Sequence, residues 1–227
     1  MPSTDLQHWQ AARTPDVAVL NGNRVRLERL DPARHGDDLW QALHGADADP
    51  HMWTYMGYGP FASPADFTQW LNSLGNSGDA VFYTVIANSS DQALGLLSYL
   101  NICPAHGSIE IGHVCFGHAL QRSTQASETI YLLARYAFEL GNRRLEWKCD
   151  NANLRSKRAA ERFGFSYEGL FRQHLIRKGR NRDTAWFSLL DHEWPACCAA
   201  FERWLVADNF AAQGQQRQRL QDLREHA

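Results

Sequence analysis

The chain has 227 residues, 23 of them basic and 25 acidic, for a formal net charge of −2. That balance excludes a protein whose affinity for nucleic acid or an anionic membrane rests on bulk charge. No apolar run approaches a membrane span, and the N-terminus lacks a basic-then-apolar signal. The length suits one sizeable domain, and eight tryptophans point to an aromatic-rich core. The five cysteines, Cys103, Cys115, Cys149, Cys197 and Cys198, show no metal-ligand spacing, so no metal is expected. An odd number reads as reduced thiols, with the cytoplasm as the default location.

Residues 1–21 carry Pro2 and Pro15 and read as a loosely attached arm. Residues 24–30 alternate as a first strand, and Asp31-Pro32 opens a helix with an N-cap and a proline at its first position. An aromatic, Gly/Pro-dense loop follows from Asp47, containing Trp53, Tyr55, Tyr58 and Phe61. Ser63-Pro64 opens a second helix that turns Phe67, Trp70, Leu71 and Leu74 to one side and ends at Gly75. Residues 80–88 and 94–103 are two strands, and Ser108 to Phe116 is a third. In that third strand, strict alternation puts Ile109, Ile111, His113 and Cys115 on one face. Glu110, Gly112, Val114 and Phe116 fall on the other.

After a polar turn, residues 121–126 (QRSTQA), a helix carries Ala126, Ile130, Leu133, Ala134, Ala137 and Leu140 on one stripe, with Gly141 as its C′ residue. Residues 144–150 are a strand and residues 153–163 a short helix capped by Asn153. Residues 167–175 and 182–190 form a hairpin around Lys178-Gly179. Beyond Pro195, Ala199, Trp204 and Leu205 suggest a docked helix, and residues 213–227, rich in Gln and charge, an end that frays.

The turn between the strand at 108–116 and its helix is where chemistry concentrates. Unpaired helix N–H groups and the positive end of the helix dipole face an anion there, with Arg122 adding a planar cationic fork. A pyrophosphate fits this site. The segment resembles the central motif of the GNAT superfamily of acyl-CoA-dependent N-acetyltransferases, Q/R-x-x-G-x-G/A: Gln121 and Ala126 match, while Thr124 replaces a glycine. A second stretch, from Asn151-Ala152-Asn153-Leu154-Arg155-Ser156 to Gly164-Phe165, resembles the Asn…Ser…Gly-Phe helix of the RimJ/RimL-like branch. The likeness runs from about Arg24 to Pro195.

This resemblance implies an α+β fold: a mixed, mostly antiparallel twisted sheet flanked by helices, with a splayed central strand pair. The domain would span residues 22–195, with an arm before it and a helical extension at 196–227. It implies acetyl-CoA as co-substrate, bound by Gln121, Arg122, Ser123, Thr124, Gln125, Ala126, Asn153 and Ser156, and by the main chain of Val114, Cys115 and Phe116. It implies direct transfer to a primary amine, a protein N-terminus or a small molecule. The rival reading is a catalytically silent acyl-CoA sensor.

Glu110 is the candidate general base; its alternative is an ion pair with Arg122 or Arg172. His113 is a second proton acceptor, expected on the opposite face from Glu110; its alternative, favoured for a histidine within a strand, is a half-buried structural role that satisfies a hydrogen bond. Family members place a tyrosine four residues beyond Ser156 to protonate the departing thiolate; Ala160 stands there, which leaves Ser156 as the nearest hydroxyl. Trp53, Tyr55, Tyr58, His113 and Trp186 are expected around the acceptor, although the aromatic loop reads equally as a hydrophobic plug. The basic run 172–183 reads as a solvated hairpin, with Arg182 and Asp183 in local ion pairs. Trp204, Leu205, Val206 and Phe210 suggest pairing of two copies.

Overall fold

A computed structural model describes residues 6–75, 78 and 80–225. The strands are β1 (Val19–Asn21), β2 (Val25–Arg29), β3 (Ala80–Ala87), β4 (Ala93–Cys103), β5 (Ser108–Phe116), β6 (Arg144–Asp150), β7 (Ser166–Arg177) and β8 (Arg180–Leu190). They form one sheet in the order β1-β2-β3-β4-β5-β6-β8-β7. Every neighbouring pair is antiparallel except β5 and β6. The helices are α1 (Pro32–His44), α2 (Pro64–Gly75), α3 (Thr124–Glu139), α4 (Leu154–Arg162), α5 (Trp194–Leu205) and α6 (Leu220–Glu225).

The two faces of the sheet bury separate cores. Ile109, Ile111, Leu145, Trp147, Ala185 and Phe187 join Ile130, Leu133 and Ala137 of α3, Ala160 of α4 and Phe201 of α5. On the opposite face, Phe82, Ile86 and Leu96 meet Leu39 and Leu43 of α1, Phe67 and Leu71 of α2, and Trp53. The alternation of strands 3 to 6 therefore feeds two helical layers, which is why neither face reads as polar throughout.

Local signals place most element ends. Asp31 accepts from the amides of Ala33 and Arg34, Asn153 from Ser156, and Ser123 from Ala126, each capping the helix that follows. Gly141 takes φ +90° after α3, the left-handed stop expected of a C′ glycine. Lys178 and Gly179 both have positive φ, 48° and 72°, as a two-residue hairpin turn matching strand twist requires.

Three features depart from the sequence reading. The arm is not loose where it is described: Val19–Asn21 pairs with β2 as an edge strand. Ahead of it, Ala12 is buried and the amides of Asp16 and Val17 donate to the Tyr136 hydroxyl. The C-terminal end does not fray through 225, because α6 buries Leu220 and Leu223 against α5. Finally, β5 is bulged: Gly112 pairs with Ser98 and Cys115 with Leu96, and His113 adopts φ +52°. One extra residue reverses the faces. Cys115 thus joins the α1/α2 core instead of the α3 core, and Val114 and Phe116 pack on the α3 side.

Candidate active site

β5 and β6 pair only through four positions, from Ser108↔Arg144 to Ile111↔Trp147. Beyond them β6 follows β8 while residues 112–116 stay with β4. A parallel pair that parts in mid-sheet leaves main-chain N–H and C=O groups along a gap, available to an extended ligand. The splayed strand pair is therefore present, with Val114, Cys115 and Phe116 on its edge.

At the far end of β5 the Gln121 side chain donates to the Phe116 carbonyl at 2.8 Å, fixing the strand to the turn. Arg122 is exposed, holds φ +58° and makes no ion pair among the described residues. The Ser123 hydroxyl caps α3 and donates to the Leu120 carbonyl. Thr124 and Gln125 are the first residues of α3, and their N–H groups have no helical partner. An unpaired guanidinium beside free amides at the positive end of a 16-residue helix suits a pyrophosphate.

On the α4 side, the Ser156 hydroxyl accepts from the Trp147 indole at 2.9 Å. Its own O–H is engaged by the Cys149 thiol. Burial pushes the Cys149 thiol up, and the neighbouring Ser156 hydroxyl partly offsets this. Asn153 spends its side chain on the cap. Ala160 has no exposed surface and is core, so of the predicted α4 face only Ser156 offers a hydroxyl toward the sheet.

The α1/α2 face of the sheet carries the other half of the site. Glu110 is 5% exposed. Its Oε2 accepts from Asn101 at 2.6 Å and meets the Lys148 ammonium at 2.9 Å. The ion pair is thus with Lys148, not with Arg122 or Arg172. Oε1 makes no hydrogen bond within the described residues. The room expected beside Gly112 is taken: a Cβ there would come within 2.6 Å of Leu100.

His113 faces this same side, contrary to strict alternation, because the bulge turns it over. It stacks on Tyr58, whose hydroxyl lies 2.8 Å from Nδ1, and packs against Phe82. Burial, then Arg177, holds His113 below its ordinary range, so the ring is neutral near pH 7.

The aromatic loop divides by residue. Trp53 is 2% exposed and belongs to the core, in edge contacts with Tyr58, Phe61 and Trp70. For that residue the plug reading holds. Gly59, at φ +57°, lies so close that a Cβ would come within 2.5 Å of the indole. Tyr58 reaches the cleft through His113. Tyr55 bridges the gap, donating to the Ala152 carbonyl just before α4 at 3.1 Å. Two further ties hold the loop down: Arg155 to Asp49 at 2.8 Å, and the Lys178 ammonium to the carbonyls of Trp53 and Gly59. The loop is a roof pinned to the second half of the sheet. Lys178, read as solvated, is one of its pins.

Trp186, Thr184 and Arg182 follow each other at period two on β8, on the face of Lys148. The Lys148 ammonium sits 3.7 Å from the Trp186 ring centroid. Thr184 bonds His174, and Asp183 accepts from the Gln173 amide and Asn181 instead of from Arg182. Arg182 is half-buried: burial and Arg177 disfavour its charge, while Asp150 and Glu110 favour it. Lys148 and Asn101 were missed in the sequence. The alternation of Glu146, Lys148 and Asp150 was visible, but their pairing across to β5 depends on parallel register. Asn101 reaches Glu110 from a left-handed kink in β4, at φ +46°.

Residues 24–166 match the Acetyltransferase (GNAT) domain. The chain belongs to the GNAT acetyltransferase family. This GNAT chain is 31% identical to an uncharacterized N-acetyltransferase p20 of Bacillus licheniformis, over 65% of its own length and 84% of the relative's. It superposes on the crystal structure of a GCN5-related N-acetyltransferase from Brucella melitensis with TM-score 0.94 and 44% identity, covering 97% of this chain and 100% of that one. A probable GNAT-family acetyltransferase from Chromobacterium violaceum gives TM-score 0.79 at 46% identity, covering 86% and 98%. The protein is an acyltransferase of the GNAT type, and acetyl-CoA is its co-substrate. Among the described residues no group of His, Cys, Asp or Glu could hold a metal, and no helix is long and apolar enough to cross a membrane.

Proposed function

We propose that the protein moves an acetyl group directly to a primary amine, without a covalent enzyme intermediate. The observation that carries this reading is the fork after Ile111↔Trp147, with anion-binding groups at one end and Glu110 on the adjoining face. When bound, acetyl-CoA supplies an acyl group already activated as a thioester. Val114, Cys115 and Phe116 offer main-chain groups along the gap; Arg122 and the amides of Thr124 and Gln125 receive the diphosphate. Glu110, with Oε2 tied and Oε1 open, accepts the amine proton. Ser156 donates toward the departing sulfur. Four of the five thiols are held away from the thiolate by burial, which pushes Cys115 up to about 12 and Cys198 to about 11 and raises Cys149 and Cys197.

Within the family we place the chain in the RimJ/RimL-like branch, on the Asn153…Ser156…Gly164-Phe165 pattern, and in the cytoplasm on its five free cysteines. The test is acetyl-CoA turnover across a panel of amines, read by thiol release. At least one amine should give saturable release, and Glu110→Gln should lower kcat about 10²- to 10⁴-fold. Release at background with every amine would overturn the assignment.

A further inference from the structure

The cleft face holds more positive charge than its protein partners use. Among the described residues Arg182 has a buried Nε with no hydrogen-bond partner, and four residues on, Trp186 has a buried indole N–H in the same condition. Both lie on the period-two face of β8 that looks across to Lys148 and Glu110. Arg177 approaches from the hairpin, its guanidinium 3.5 Å from where a Cβ on Gly57 would sit under the roof. Among the described residues neither arginine makes an ion pair or a side-chain hydrogen bond. Lys148 is neutralised by Glu110 and Glu146, and Asp150 gives an oxygen to the Ala152 amide.

Two guanidiniums held near each other with no anion in direct contact among the described residues, one with an orphaned buried donor, carry a cost that a ligand oxyanion would remove. The donor set fits a carboxylate: a planar fork from Arg182, a single N–H from Trp186, and a second cation at the mouth. A polyamine would meet like charge here. Resting on the amine-acetylation reading above, we propose that the acceptor is a small amine that also bears a carboxylate, the amine directed to Glu110 and the carboxylate to Arg182, Trp186 and Arg177. The pinned roof over this face favours a small acceptor.

The experiment compares ω-amino acids of two to six carbons with their carboxamides, at equal concentrations of unprotonated amine, alongside spermidine. The wild-type enzyme should prefer the acid over the amide at one or two chain lengths. In Arg182→Gln the acid-to-amide ratio of kcat/KM should fall about 10- to 150-fold, the span of a charge-assisted hydrogen bond. Arg182→Lys should recover part of it. Equal use of acid and amide at every length by the wild-type enzyme, or a ratio that Arg182→Gln leaves unchanged, would overturn the proposal while leaving amine acetylation standing. Turnover of no amine at all would instead remove the reading beneath it. If Arg182→Gln loses the thermal shift given by acetyl-CoA and is misfolded, the wild-type comparison decides alone.

Discussion

In the proposed mechanism the leaving-group chemistry turns on Ser156. Its oxygen accepts from Trp147 and its hydroxyl also bonds the Cys149 thiol, so to donate as charge grows on the departing sulfur it exchanges one sulfur partner for another. Ser156→Ala should lower kcat roughly 10- to 1000-fold, about 1.4 to 4 kcal/mol of transition-state stabilisation. Affinity for acetyl-CoA should change little. The same change strands the indole N–H, so the melting temperature should fall too, by the equivalent of about 1 to 3 kcal/mol. Stopped-flow turnover and calorimetry read the two effects separately; unchanged turnover with chemistry rate-limiting would return Ser156 to a structural role. Putting tyrosine at Ala160 in that background should not restore rate, because Ala160 has no free surface and overpacking there costs about 1 to 3 kcal/mol.

At the scale of elements, the helix α3 terminus and the roof make distinct demands. Arg122→Glu should abolish the rise in melting temperature that CoA gives, since it sets a carboxylate beside the diphosphate; an unchanged shift would remove the anion site from the turn. Lys178→Met frees the Trp53 and Gly59 carbonyls from their pin, and should raise KM for the acceptor while leaving the CoA-induced shift intact. What the sequence disclosed at this scale follows from range. Caps such as Asn153, Ser123 and Asp31 act within three residues, so the helix starts were legible. The bulge at His113 was not, because alternation presumes a regular period and carries no mark of an inserted residue. The same blindness put Glu110 and His113 on opposite faces. Nor could the chain's order show that Lys148, on a later strand, would reach Glu110. In α6, two leucines among polar residues bury fully only because α5 offers a surface, which no local pattern records.

For the whole molecule, burial holds His35, His44 and His113 below the ordinary 6.5. Each charges more readily unfolded than folded, so the unfolded chain binds more protons as pH falls through 6.5, and stability declines from there toward the folded values. Above 6.5 these histidines contribute no slope. Glu28, Glu146 and Glu168 are held below their usual 4.5 and add a second decline below about 4.5. Melting temperature against pH should therefore fall in two stages, and His113→Asn should flatten the first. A curve level between 6.5 and 5 would show that the rings titrate alike in both states. Of the side chains once suggestive of pairing between copies, Trp204 is 3% exposed and Leu205 8%, Phe210 is half-buried against Trp204, and Val206 is exposed.

The fork after Ile111↔Trp147 also has a consequence for isotope exchange. A strand bonded on both sides releases its amide protons only when the sheet opens, whereas residues 112–116 have β4 on one side and a gap on the other. In deuterated buffer the amides of this stretch that point into the gap should therefore exchange rapidly, beside slow neighbours at 109–111, and they should slow when the pantetheine arm lies along them. One strand would then show two exchange clocks, divided at Gly112.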